Sequence, residues 1–164
     1  MEYRDLYDKN RNLTGEKIKK GYLVPKGRYY VTVAVWIQNS NNEFLIQVNK
    51  KYNKWTTTGG HPKSGESSID GIVTEIKEEL GLTIYKNELK LFKTIKTNND
   101  FVDLYYVKKD IPLEKTNIQE EEVGNIKWVS KEEIDNLIKK GEFLESHIEF
   151  YNDCLDYLNE TNRN

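Results

Sequence analysis

The chain has 164 residues, enough for one domain with a sizeable core, and carries a net charge of −2. That balance argues against a general nucleic-acid binder, which presents a basic surface. A nucleotide or a capped RNA end stays open as substrate, because a bound cation can supply positive charge locally. The single cysteine, Cys154, rules out an intrachain disulfide and a cysteine metal cluster. No apolar run is long enough to span a bilayer, and the N-terminal MEYRDLYDKNRN lacks an apolar signal region. The expectation is a soluble, cytoplasmic protein with no membrane partner and no extended nucleic-acid surface.

In chain order, the polar opening with turn residues Asn10, Asn12 and Gly15 predicts an N-terminal hairpin extension over 1–28. The run Tyr29–Ile37, YYVTVAVWI, is dense in β-branched and aromatic residues and predicts a strand buried on both faces. Gln38–Glu43 forms a turn and Phe44–Val48 the returning strand, followed by a basic loop over Asn49–Lys54. After Gly59-Gly60 comes a punctuated helix. Ser67 is its N-cap, Asp70 completes a capping box, and Gly81 stands at the left-handed C′ position. Its apolar stripe is Ile69, Val73, Ile76 and Leu80, with Glu75, Glu78 and Glu79 mostly off it. Strands are expected at Leu89–Lys96, Phe101–Lys108 and Ile126–Val129, the last after the acidic loop Gln119–Glu122. Ser130 caps a second helix ending at Gly141, and a C-terminal helix is expected over 146–160, with a frayed tail at Glu160–Asn164. No repeat or interdomain linker divides the chain, so residues 1–164 read as one domain.

Chemistry concentrates between Gly60 and Leu82. Glu75, Glu78 and Glu79 stand at spacings i, i+3 and i+4, which places like charges on neighbouring helix positions and costs roughly 0.2–0.5 kcal/mol per exposed pair. A charge run of this kind is most often a solvated face. Here it follows a glycine turn that lets backbone approach closely, and a fourth carboxylate, Glu66, lies within that turn. Hard divalent cations prefer such oxygen donors, and they serve diphosphate chemistry by neutralising phosphate charge and acidifying a bound water.

The segment resembles the Nudix box, G-x5-E-x7-R-E-U-x-E-E-x-G-U, with U aliphatic. Gly60, Glu66, Glu75, Ile76, Glu78, Glu79, Gly81 and Leu82 match its fixed positions. Thr74 stands where the box has arginine, a residue that in the family pairs with a box glutamate and holds it in place. The resemblance implies an α/β fold, an α/β/α sandwich around a mixed β-sheet. It also implies Mg²⁺- or Mn²⁺-dependent hydrolysis of a nucleoside diphosphate linked to another group X. It assigns Glu75, Glu78, Glu79 and the Gly60 carbonyl to the metal, and Glu66 to support of the loop–helix junction. The general base varies within the family. Glu79 and, from the later acidic loop, Glu122 are the candidates here, and a homodimer is a family-based expectation. Trp55, Lys54 and His61 are candidate substrate contacts.

A narrower likeness competes. WTTTGGHPKSGES, from Trp55 to Ser67, is similar to the corresponding part of isopentenyl-diphosphate isomerase, a Nudix-fold enzyme. That enzyme has a cysteine at the position of Gly59 and a metal-binding histidine at that of His61. Its further histidines have no counterpart around Arg28–Trp36, and its second catalytic carboxylate falls near Asp100. The chain thus resembles an isomerase-like branch of the Nudix hydrolases, with hydrolysis as the leading expectation. Isomerisation is one alternative. A catalytically weak nucleotide-binding module, motivated by Thr74, is another.

Overall fold

The computed structural model describes residues 2–162. An N-terminal antiparallel hairpin, β1 (Tyr3–Tyr7) and β2 (Leu13–Lys19), forms its own two-stranded sheet. The central sheet has seven strands. They are β3 (Tyr30–Gln38), β4 (Phe44–Asn49), β5 (Lys54–Thr56), β6 (Gly59–Gly60), β7 (Lys90–Lys96), β8 (Asp100–Lys108) and β9 (Val123–Val129). Its main order is β5-β4-β3-β8-β7, with β6 paired to β3 and β9 to β4. Only β3 and β8 run parallel, in register from Tyr30 opposite Asp100 to Gln38 opposite Lys108, so the sheet is mixed.

Strand β3 is buried on both faces because a helical layer covers each side. Val31, Val33, Val35 and Ile37 face α1 (Ser68–Leu80) and pack with its Ile72, Ile76 and Leu80. Trp36 faces the other way, into a core shared with Phe44 and Ile46 of β4. That core also takes in Ile134 and Leu137 of α2 (Lys131–Lys139) and Tyr151 and Cys154 of α3 (Ile148–Asn162). The period of two along each strand thus builds two cores on one sheet, giving the α/β/α sandwich. Burying each of Ile72, Ile76 and Leu80 contributes about 1.5–3 kcal/mol, which fixes the rotation of α1 about its axis.

That rotation corrects the expected helix faces. The fully buried stripe is Ile72, Ile76 and Leu80, with Ile69 and Val73 only partly covered, and Glu79 turns inward beside it at 9% exposure. A close contact at Gly71 accompanies this orientation. That glycine faces Pro62, whose Cγ would lie 2.6 Å from a Cβ at that position, so the helix lies tightly against the preceding loop. Two short strands also replace expected loop. β5 pairs with β4 as a local hairpin across the loop after Asn49, and β6 pairs with Val33 and Ala34 of β3, partners distant in sequence. At the C-terminus, α3 continues to Asn162, beyond the expected fraying point; residues 163 and 164 of that tail lie outside the described residues, as does Met1. No helix among the described residues is long and apolar enough to cross a membrane.

Candidate active site

The loop before α1 is held from three sides. Ser67 and Asp70 form the reciprocal capping box, each side chain accepting from the other's backbone N–H at 3.2 Å. Asp5 of β1 accepts from the Ser64 hydroxyl at 2.6 Å and the Gly65 N–H at 2.9 Å, so the N-terminal hairpin clamps the loop. Glu66 accepts from the Lys63 N–H at 2.7 Å through one oxygen and from the Thr74 hydroxyl at 2.6 Å through the other. The threonine at the arginine position of the box therefore still contacts the junction glutamate, with one neutral donor in place of a charged fork.

The three box glutamates of α1 have three different surroundings. Glu78 is exposed and paired with Lys63 at 2.7 Å. Glu75 is half-buried and lies directly against Gly60, where a Cβ would sit 2.4 Å from the Glu75 carboxyl carbon. A side chain at Gly60 would displace the Glu75 carboxyl from this position. Glu79 is buried, and its Oε1 accepts from Gln47 Nε2 at 2.6 Å. The Gln47 Oε1 in turn accepts from the Thr58 hydroxyl at 2.6 Å, so the amide bridges Glu79 and Thr58. Glu75 and Glu79 lie in hydrogen-bonding contact one helical turn apart. Burial, above all, holds both carboxyls well above the ordinary carboxylate range. Neighbouring charge adds to it, from Glu78 at Glu75 and from Glu75 at Glu79.

A cavity of about 450 Å³ adjoins this pair and reaches Glu79, Gly59, Gly60 and His61. Its far wall comes from the segment after α2. The backbone of Trp55 exchanges hydrogen bonds with Glu142 and Leu144 at 2.9 and 2.8 Å, and this pairing draws Leu144, Ser146 and His147 to the cavity. His147 Nδ1 lies 2.6 Å from the Thr56 hydroxyl, and its ring stacks on Phe150 at 4.9 Å. On the near wall, His61 Nδ1 lies 3.3 Å from both the Val31 carbonyl and the Thr32 hydroxyl. The carbonyl can only accept, so Nδ1 carries the proton of the neutral ring. Thr32 in turn donates to Asp100 at 2.7 Å. Burial, followed by the nearby Arg4 charge, pushes the His61 imidazole down to about 4, and burial alone pushes His147 down to about 4.

The sequence-derived candidates divide in space. Gly60, Glu75 and Glu79 come together at the cavity edge, with Glu66 behind them at the junction and Glu78 alongside on Lys63. His61 lines the cavity, whereas Trp55 and Lys54 do not. Trp55 lies partly buried against the α2–α3 core with Lys127 Nζ 4.4 Å above its ring, and Lys54 Nζ donates to the Gly141 carbonyl. Glu122 is exposed, yet its charge is felt at Glu79. Its loop is tied to the end of α1, where the Gln119 N–H donates to the Glu79 carbonyl at 3.0 Å and Asn117 to Leu80 at 2.8 Å. Sequence reasoning missed Gln47, Thr58 and His147. The signal for the first two was slight: a polar residue inside the apolar run FLIQV, and a third threonine before the glycines.

The donors suit a hard divalent cation in kind. They are all oxygens, the glycine cradle leaves backbone room beside Glu75, and the buried carboxyl pair is short of positive charge. Among the described residues no three acidic, histidine or cysteine side chains already surround one cation position, since Glu78 is turned to Lys63.

The chain is similar to known proteins in sequence and in fold. The family model described as the NUDIX domain matches residues 28–154. An uncharacterized Nudix hydrolase of Listeria innocua is 32% identical over 150 residues, covering 88% of this chain and 89% of its own. A protein of Clostridium acetobutylicum with the same description is 31% identical, covering 90% of this chain and 76% of its own. Among solved structures, a Deinococcus radiodurans protein superposes with a TM-score of 0.72 at 19% identity, over 89% of this chain and 94% of that one. The NUDIX domain of Shewanella oneidensis NrtR, complexed with ADP ribose, superposes with a TM-score of 0.64 at 13% identity, over 79% and 88% of the two chains. At those identities the two superpositions establish the fold alone.

Proposed function

The chain belongs to the Nudix hydrolase family, a family of pyrophosphohydrolases, and from that premise we propose that it cleaves the diphosphate linkage of a nucleoside diphosphate joined to a further group, with Mg²⁺ or Mn²⁺. The observation that carries this reading is the Glu75–Glu79 carboxyl pair, backed by the Gly60 cradle and opening on a cavity of small-molecule size. Glu75, Glu78, Glu79 and the Gly60 carbonyl would hold the cation, which when bound neutralises phosphate charge and acidifies a water. The chain's own part is positional. Gln47 holds the Glu79 carboxylate at the cavity edge, where it orients the attacking water, and Glu66 with Thr74 keeps the loop–helix junction from sliding. Glu122, whose field reaches Glu79, is the second candidate to receive a proton from that water. Ligands named for structural relatives, ADP ribose in the Shewanella domain and AMP with a manganese ion in a Francisella tularensis bifunctional enzyme, favour a nucleotide-derived substrate.

The isomerase alternative loses ground at Gly59. A Cβ there would lie 2.6 Å from the Val33 carbonyl oxygen and 3.3 Å from the Ala34 Cα, so this backbone has no room for the cysteine that such chemistry uses. The direct test is hydrolysis of a broad nucleoside-diphosphate panel with Mg²⁺ and with Mn²⁺, products identified by mass. Turnover of at least one member is expected. A uniformly inert panel overturns the hydrolase reading, and conversion of isopentenyl diphosphate to its dimethylallyl isomer would install the alternative.

A further inference from the structure

The cavity carries a charge pattern that the hydrolase reading does not use. Beyond Glu79, which that reading does use, two further carboxylates line it, Asp100 and Glu149, and among the described residues no lysine or arginine does. Both Asp100 oxygens are held by hydroxyls, one by Thr32 at 2.7 Å and the other by Thr97. His147, the histidine of the far wall, is kept neutral near pH 7 by burial. Positive charge from Arg4 and Lys20 is felt at His61, but neither residue lines the cavity; the Arg4 guanidinium lies 5.6 Å over the Tyr30 ring from the hairpin side. The remaining surface is made of neutral hydrogen-bonding groups, such as Thr32, Asn49, Thr57 and Ser146, and of flat or apolar ones, such as Tyr30 and Phe150.

Under the hydrolase reading the diphosphate belongs at the α1 end, beside Glu75 and Glu79. Whatever is attached to it extends past Asp100 and Glu149. A further negative charge placed there meets like charges across a partly desolvated space, where screening is weaker than in bulk water, and finds no cation to pair with. A hydroxylated neutral group instead meets donors and acceptors it can satisfy, with a stacked His147–Phe150 wall to lie against.

We propose that the group held in this cavity is uncharged and hydroxyl-bearing, a nucleoside or sugar, and that the site discriminates against substrates whose distal group carries a phosphate or carboxylate. The inference rests on the hydrolase reading for the placement of the diphosphate. Glu149, exposed in the first turn of α3, is the specificity residue most open to change without disturbing the fold.

Matched pairs that differ only in distal charge test it: UDP-glucose against UDP-glucuronate, and NADH against NADPH, with the full chain and Mg²⁺. The uncharged member of each turned-over pair is expected to show at least a tenfold higher kcat/KM, and Glu149→Lys to shrink that ratio at least threefold. Equal rates, or preference for the charged member, overturn the inference while leaving hydrolysis standing. A ratio unchanged in Glu149→Lys overturns its electrostatic origin. Binding of the same pairs by calorimetry separates the two readings. Tighter binding of the uncharged members without turnover keeps the inference and removes the hydrolase reading, whereas equal binding or none overturns the inference itself.

Discussion

Two buried carboxylates flank α1, and they have been given opposite fates. Asp103, 1% exposed, lies on β8 near the helix N-terminus. Arg11 grips both its oxygens at 2.9 and 2.5 Å, Ser68 donates at 2.5 Å and Thr94 at 2.7 Å. Burial by itself would raise its proton affinity, but these donors outweigh burial and hold it below the ordinary aspartate value. Glu79, toward the other end of the helix, has one neutral amide donor and a second carboxyl for a neighbour, and is pushed up instead. The contrast is between two buried acids, one of β8 near the start of α1 and one in α1 near its end. A buried acid given a guanidinium is complete and ties the N-terminal hairpin to the sheet. A buried acid left short of positive charge is the group that the proposed function gives to a cation.

The largest expected effect tests the unfinished end. Glu79→Gln keeps the shape and the Gln47 contact but removes the charge, and should lower kcat by about 10²–10⁴-fold while the urea midpoint does not fall. A variant that loses stability and activity in proportion would make Glu79 a second Asp103. Next comes the finished end. Arg11→Met leaves Asp103 buried without its cation and should cost about 3 kcal/mol in denaturant unfolding, with kcat of the folded fraction within a few-fold of wild type. A loss below about 1 kcal/mol would show that hydroxyls alone satisfy Asp103.

The pH response sharpens the same comparison through stability differences between variants. Asp103 binds its proton more weakly folded than unfolded. Its stabilisation is therefore whole above its unfolded value near 3.8 and is lost as pH falls through the lower folded value. The gap between wild type and Asp103→Asn should thus hold from pH 7 to 5 and begin to close only near pH 4. His147 also binds its proton more weakly folded, at about 4 against an ordinary 6.5. Wild type should accordingly lose about 2 kcal/mol relative to His147→Gln as pH drops from 7 to 4.5. A constant gap over that range would mean that His147 is as free to charge as in the unfolded chain. The smallest effect is at Thr74. Thr74→Val removes one donor to Glu66 and should cost about 1 kcal/mol with a few-fold drop in kcat/KM, which Thr74→Ser restores.

Much of this was legible in the residues. Ser67, Asp70 and Gly81 set the limits of α1 because cap chemistry is local: each acts on backbone within a few positions. The alternating buried faces of β3 followed from its unbroken apolar run, and the spacing of Glu75, Glu78 and Glu79 put oxygen donors on one short stretch of helix. Long-range facts were not legible. Nothing in the local pattern says that Gly71 meets Pro62, yet that contact accompanies the turning of Glu79 inward and its separation in character from Glu78, its neighbour in sequence. Lys54 and Trp55 were candidate substrate contacts in the sequence, and the pairing of Trp55 with residues 142–144 holds that segment beside the cavity without lining it.

By itself, then, the sequence determined the main elements other than β5 and β6, the two-sided core and the identity of the acidic groups, because caps, periodicity and glycine turns act over one or two turns of chain. Tertiary structure decided which acids would be satisfied and which left wanting. Arg11 lies 92 positions before Asp103, and Gln47 lies 32 before Glu79. It also placed His147 and Phe150 in one cavity with Tyr30 and Asp100, giving walls that carry acids but, among the described residues, no lysine or arginine. A carboxylate's proton affinity is set by what folding brings within hydrogen-bonding reach and by how much water it removes, and neither is a property of the nearby residues in the chain.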